Sequence, residues 1–406
     1  LDFPRDPSRR RLLAHGAALV AVTSGAAHAQ TSPPASTPAV PAEAKPFPPY
    51  VAWKNQSQMI QHTATTIETK RSAYGTSIVT PADRLYIRNN LPAPDASIVN
   101  DRDGWSMAVE GVRSPRTLTV RELKSMGIET TATVLQCSGN GRGYFPSKPS
   151  GTKWQVGAAG CVIWSGVPVR SVVAALGGLA DGARFITGTG GEKLPDGIDP
   201  KSVMVERSVP ITNLEDALLA WEMNGEPLPH AHGGPLRLIV PGYSGVNNIK
   251  YIKRLAFTAQ ESDAAIQKTG YRISPPGQKH SPSEPSVWEM GLKSWINGPG
   301  PDTGPVKAGT VQIHGVAMGG MQAVKRVDVS IDGGQTWREA KLVGPDLGRF
   351  AWRQFVLPVK LEPGTYQLVC RAQDVKFNWQ EETTPENSGG YLNAGWRAHG
   401  FSVTVA

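Results

Sequence analysis

The chain has 406 residues, with 42 Lys/Arg against 34 Asp/Glu, a formal net charge of +8 and three cysteines. That length supports a large core and two domains, and so few cysteines exclude a disulfide-stapled scaffold. The cations are scattered rather than gathered into runs interleaved with aromatics, which excludes a nucleic-acid groove and favours a basic funnel for a small anion or a face for an acidic redox partner.

Ser8-Arg9-Arg10-Arg11-Leu12-Leu13 precedes a mildly apolar stretch from Ala14 to Ala27, and Ala27-His28-Ala29 fits a small-residue cleavage site. This is the pattern of a twin-arginine export signal over residues 1–29 rather than a membrane anchor. The stretch is too short to span a bilayer and is interrupted by His15, Thr23, Ser24 and glycines. The competing reading is a disordered basic arm. Export by this route carries folded proteins, so a periplasmic location and a prosthetic group inserted before export are expected. Cleavage would remove four arginines and two aspartates, lowering the charge from +8 to +6. Residues 30–49, rich in Ala, Pro, Ser and Thr, read as a flexible leader.

From Tyr50 to about residue 270 the texture is mixed. Strand-like runs (Trp105 to Val109, Thr131 to Leu135, Leu236 to Val240) alternate with segments read as helical, such as Leu214 to Met223. Residues 274–286 form a Ser/Pro/Gly-rich connector. Beyond it Val327, Val329 and Ile331 alternate with polar residues before the turn Asp332-Gly333-Gly334. Tyr366 to Cys370 and Phe401 to Val405 repeat the alternation, as a small β-sandwich would. The expected organisation is α+β: a mixed α/β domain over residues 50–283, then an Ig-like β-sandwich over residues 284–406.

Cys137 ends an apolar run, Thr131 to Gln136, and opens a glycine-rich basic turn, Ser138-Gly139-Asn140-Gly141-Arg142-Gly143. A thiol at a strand end, beside flexible backbone and a cation, suits a reactive or metal-binding thiolate. The same pattern also fits a buried core cysteine. One thiolate cannot fill a metal's coordination sphere, so a metal here would need ligands from an organic cofactor. The Cys-x-x-Cys-His of c-type haem attachment and paired Cys/His zinc spacing are absent.

Several motifs run in order along the chain: Tyr86 to Pro92 (YIRNNLP), Thr133 to Asn140 (TVLQCSGN), Trp221 to Pro229 (WEMNGEPLP), His232 to Gly242 (HGGPLRLIVPG), Asn248 to Lys250 (NIK), and Val327 to Trp337 (VDVSIDGGQTW). Together they resemble the sulfite oxidase family of molybdenum–pterin enzymes, most closely its bacterial periplasmic sulfite dehydrogenases. The resemblance implies a molybdopterin-binding fold followed by a dimerisation domain, with no haem on this chain. It implies Cys137 as the one protein ligand to molybdenum. It implies pterin and phosphate contacts from the loop Ile87, Arg88, Asn89 and Asn90, and from His232, Arg237, Asn248 and Lys250. Asn90 departs from the histidine that many relatives carry. For the substrate pocket the resemblance implies Arg88 and Arg142 as oxyanion ligands, Trp154 as a wall and Tyr271 as a hydrogen-bonding phenol. A further arginine is expected near the C-terminus; Gly389-Gly390 occupies the matching place, and Arg397 is taken as the substitute.

The activity implied is oxidation of sulfite to sulfate, with electrons passed singly to a c-type cytochrome, by a homodimer or a heterodimer with a haem subunit. The alternatives are a sulfane dehydrogenase subunit of a thiosulfate-oxidising system and a non-catalytic exported binding protein. A methionine-sulfoxide reductase of the same superfamily is disfavoured by the second β domain, and an assimilatory nitrate reductase by the export signal.

Overall fold

The structure is a computed structural model and describes residues 46–406, which form one compact unit. The expected export signal and most of the expected leader lie outside the described residues. The expected leader is shorter than residues 30–49, because Phe47 is already buried beside Val51, Met59, Ile67 and Ile87.

Three sheets make up the N-terminal part, with short helices between them. Met59–Thr63, Thr66–Thr69 and Ile87–Arg88 form a small antiparallel sheet. A second sheet has the order Glu226–Pro227, Leu218–Met223, Ala159–Pro168, Glu129–Gln136, with Arg237–Ile239 also pairing Leu218–Met223. The third has the order Arg116–Thr119, Ser106–Glu110, Arg254–Thr258, Phe185–Thr189, Glu206–Pro210. Its parallel pair is Arg254–Thr258 with Ser106–Glu110. Helix Val120–Lys124 starts from a capping box: Thr119 Oγ1 accepts from Glu122 N–H while the Glu122 carboxylate accepts from Thr119 N–H.

The helix expected over Leu214 to Met223 is not formed. Leu218–Met223 is a strand, preceded by a 3-10 turn at Ile211–Asn213. Leu218, Leu219, Ala220, Trp221 and Met223 are all buried, so both faces of the strand are covered. A short run that is apolar on both faces carries no period to separate strand from helix, and the sheet decides.

The C-terminal part is one seven-stranded sheet: Lys293–Gly298, Gly309–Met318, Arg353–Leu361, Arg338–Val343, Val324–Ser330, Gly364–Asp374, Phe401–Val405. The expected sandwich is therefore a single curled sheet. Its ends close over the core, where Cys370 Sγ lies 3.3 Å from Ser294 Oγ. No seam separates the two parts. Fully buried Trp295 and Trp352 meet edge-on at 5.9 Å in a cluster that also holds Val134, Val156 and Cys161. Arg71 crosses the same boundary, donating to the carbonyls of Ile296 (2.9 Å) and His399 (3.2 Å). Among the described residues no helix is long and apolar enough to cross a membrane.

Candidate active site

Strand Glu129–Gln136 runs from solvent into the core, its first residues exposed and its last four buried. Threonine and valine suit the half-covered stretch, and the buried end delivers Cys137 to the interior with 8% of its surface exposed. Asn140 fixes the turn that follows. Its Nδ2 donates to Gln136 Oε1 (2.9 Å), and its Oδ1 accepts from Ala158 N–H (3.1 Å) on the neighbouring segment. Gly141 sits at φ +90°, where a side chain would be strained and would meet His399. The other two cysteines, Cys161 and Cys370, are free and buried, and burial pushes both thiols up to about 12. They are inert core residues.

Two compartments meet at Cys137. The inner cleft is lined by Tyr86, Arg88, Asn89, Asn90, Ser138, Glu192, His232, Arg237, Asn248, Lys250 and Tyr271 among others. The outer vestibule is lined by Arg88, Asn89, Asn90, Arg142, Tyr271, His280, Gly389 and Tyr391 among others. Residues of four of the motifs, Tyr86 to Pro92, Thr133 to Asn140, His232 to Gly242 and Asn248 to Lys250, thus converge on one place.

The inner cleft is cationic and largely unpaired. Arg237 is 3% exposed and donates only to carbonyls, those of Asn248 (3.2 Å) and His232 (2.8 Å). Burial pulls its guanidinium down to about 10. Lys250 Nζ donates to Asn89 Oδ1 and Ala231 O, both at 2.7 Å. Its side chain packs directly on Gly233, which stands at φ +103°. Burial, and then the nearby Arg237, holds the Lys250 ammonium well below its usual range. His232 is pushed down by burial and by Lys54, whose Nζ lies 3.0 Å from His232 Nε2. In its ammonium form Lys54 places its hydrogens on Ala82 O (2.6 Å), Leu85 O (2.7 Å) and that Nε2. The ring then accepts at Nε2 and carries its proton on Nδ1. Each of these shifts disfavours positive charge in the cleft, and a bound anion would offset the cost.

Glu192 is the one carboxylate lining the cleft. Burial raises its carboxyl to about 7, and its Oε2 has no hydrogen-bond partner; nor has Ser138 Oγ. Converging cations, an unpartnered carboxyl and an unpartnered hydroxyl fit a group bearing a phosphate and a hydrogen-bonding ring edge, as a pterin cofactor does. Because Glu192 titrates higher folded than unfolded, its contribution to stability is complete at acid pH and is lost as pH rises through about 7. The cofactor-free Glu192→Gln protein is accordingly expected to gain melting temperature relative to the parent as pH rises from about 5 to 8. Thermal unfolding across that range is the check.

In the vestibule, Arg88 donates to Asn89 O and to Asn90 Oδ1, the latter also 3.3 Å from Tyr271 Oη. Asn90 therefore ties the arginine to the phenol. Arg142 donates to Gly389 O (2.8 Å) and Thr152 O (3.2 Å). Among the described residues neither arginine has a carboxylate partner, so both keep their charge for an incoming anion.

Three expected site residues fall elsewhere. Arg397 lies on a surface turn, 53% exposed, and pairs with Glu382 at 2.5 Å; a solvated partner satisfies it better than a buried pocket would. Trp154 is fully buried behind Cys137, edge-on to His62 (5.2 Å) and Tyr86 (6.3 Å), so it backs the wall without forming it. Ile87 spends its side chain in the cluster with Val51 and Ile67, while Arg88 and Asn89 beside it face the cleft. Lys54, Glu192 and Tyr391 had not been singled out. Each is a lone residue in a stretch without a motif, and only the fold carries it to the site.

Comparison with known proteins agrees with this geometry. Residues 92–266 match the oxidoreductase molybdopterin binding domain, and residues 284–404 match the Mo-co oxidoreductase dimerisation domain. The chain is 32% identical over 346 residues to mitochondrial sulfite oxidase of Rattus norvegicus, covering 80% of this chain and 61% of the rat protein. It is 30% identical over 360 residues to sulfite oxidase of Arabidopsis thaliana, covering 81% of this chain and 89% of that protein. Among solved structures it is similar in fold to the sulfane dehydrogenase SoxCD of Paracoccus pantotrophus. The TM-score is 0.71 at 24% identity, over 87% of this chain and 90% of that one. The two domain matches in order, and the identity along nearly all of the plant enzyme, place this chain in the sulfite oxidase family of molybdenum–pterin oxidoreductases.

Proposed function

We propose that the protein oxidises sulfite to sulfate in the periplasm at a molybdenum–pterin centre and passes the electrons singly to a c-type cytochrome. The observation that carries the reading is the meeting of a cationic inner cleft and an arginine-lined vestibule at one buried cysteine, Cys137. The overall change is sulfite plus water to sulfate, two protons and two electrons. When bound, the cofactor supplies the oxygen-atom transfer and holds the two electrons.

Cys137 would be the protein's ligand to molybdenum, since a soft thiolate suits a redox metal already held by sulfur. His232, Arg237 and Lys250 would hold the phosphate end, and Glu192, Ser138 and Asn89 the pterin edge. Arg88 and Arg142 bind the sulfite dianion in the vestibule and offset the cost of stripping its water. Tyr271 presents a phenol that can donate to a substrate oxygen. The twin-arginine pattern of residues 8–13 supports export, and the match to a dimerisation domain supports a dimer.

Losing one charge-assisted contact is worth about 1.5–3 kcal/mol. Arg88→Gln is therefore expected to raise the KM for sulfite by at least about tenfold. Steady-state kinetics with ferricyanide as acceptor reads this, and an unchanged KM removes Arg88 from substrate binding. Metal analysis of protein matured through the twin-arginine route should find about one molybdenum per chain. Its absence would return the chain to the class of exported binding proteins.

A further inference from the structure

We infer that Tyr391 is a specificity-determining positioning residue of the vestibule, its ring holding Arg142 and Tyr271 in the arrangement that receives a sulfur oxyanion. This rests on the sulfite-oxidising reading and adds a residue to it.

The ring is fixed by backbone locks on either side. Asn387 clamps Tyr391 itself, its Oδ1 accepting from Tyr391 N–H (2.8 Å) and its Nδ2 donating to Tyr391 O (2.9 Å). Leu392 N–H donates to Ser138 O at 2.8 Å, next to Cys137, and Asn393 Nδ2 donates to Gly141 O at 3.0 Å. On the other side Ser388 N–H donates to Ser274 O at 2.9 Å, in the loop that carries Tyr271. The segment thus ties the cysteine turn to the Tyr271 loop, with Tyr391 between them.

From there the ring touches both functional side chains. It stacks on Tyr271 with centroids 5.2 Å apart and planes 21° apart. The Arg142 guanidinium lies 5.3 Å from its centroid, within cation–π range. Tyr271 needs such support because it stands at φ +49°, where a residue with a side chain is strained. Arg142 makes hydrogen bonds only to the carbonyls of Gly389 and Thr152, which leaves three of its five N–H groups for an anion. Burial pushes the Tyr391 phenol up to about 12, so the ring is neutral at working pH. The seat also depends on Gly389. A Cβ there would lie 2.0 Å from Tyr391 Cε2, so no side chain fits at 389 while the ring holds its place. The vestibule therefore uses an aromatic plate where a third side chain would otherwise stand.

The test compares Tyr391→Phe, Tyr391→Leu, Tyr391→Ala and Gly389→Ala with the parent, all molybdenum-loaded. Two readouts are taken: KM and kcat for sulfite with ferricyanide, and the Kd of sulfate by calorimetry. Tyr391→Phe keeps the plate and should stay within about twofold of the parent, whereas Tyr391→Leu and Tyr391→Ala should raise KM and sulfate Kd together by about tenfold, with kcat less affected. Gly389→Ala should reproduce the loss, because its Cβ displaces the ring. Leucine keeps apolar bulk if alanine does not fold. An unchanged sulfate Kd in Tyr391→Leu overturns the inference, as does Tyr391→Phe being as impaired as Tyr391→Leu. If the parent itself does not oxidise sulfite, the functional reading fails, while the sulfate affinities still decide the role of Tyr391.

Discussion

Cys137→Ser is expected to fold, but to lose sulfite oxidation by at least about a thousandfold, equivalent to about 4 kcal/mol of barrier. Serine matches the thiol in size, and Cys137 shares a buried cluster with Leu135 and Ala158. The unfolding temperature should therefore stay close to the parent's. What changes is the donor. A hydroxyl is a hard, weakly acidic ligand and does not replace a soft thiolate at a redox metal. Turnover per bound molybdenum, measured beside the unfolding temperature, separates the two effects. A serine variant keeping even a tenth of the parent rate would contradict the ligand assignment.

Lys250→Met is expected to move two properties in opposite directions. With no anion present, Lys250 is a buried cation close to Arg237, so its removal should raise the unfolding temperature of the cofactor-free protein. With the cofactor present, the same change removes a charge-assisted contact, and retention should weaken by about ten- to a hundredfold. The pH dependence carries the same signature. The folded-state pKa of Lys250 lies below its unfolded value, so between the two the unfolded chain binds more protons. Lys250 therefore contributes a rise in stability with pH across that window, and Lys250→Met should remove that contribution relative to the parent. Pterin content after purification and melting curves of the cofactor-free protein are the two measurements. A variant less stable without cofactor would point to a packing role instead.

What the sequence disclosed was local, and what it hid was not. Cys137 stood out locally at the end of a strand and the start of a glycine-rich turn, a pattern that also fits a core cysteine, and the family resemblance carried by the motifs along the chain decided between them. His232, Arg237 and Lys250 were legible only through the motifs that carry the family resemblance, and the fold brings all three to the cleft. Tyr391 and Glu192 reach the site from far along the chain; Glu192 has no motif around it, and beside Tyr391 the signal was for an arginine at Gly389-Gly390, not for the tyrosine. Leu218–Met223 was misread because its residues are covered on both faces, which erases the alternation that would mark a strand. Arg397 failed for a physical reason: an exposed glutamate, Glu382, was within its reach. The division at residues 283 and 284 followed composition, whereas Trp295, Trp352 and Arg71 bind the two parts into one packed body.

The account stands on sulfite being the electron donor. The most direct measurement is sulfite-dependent reduction of ferricyanide by molybdenum-loaded protein, with thiosulfate as the control donor. An artificial acceptor makes the result independent of the natural electron acceptor. The account predicts rapid turnover with sulfite, two ferricyanides reduced for each sulfate formed, and no turnover with thiosulfate. Fully loaded protein that ignores sulfite would contradict it and put a sulfane-oxidising role in its place.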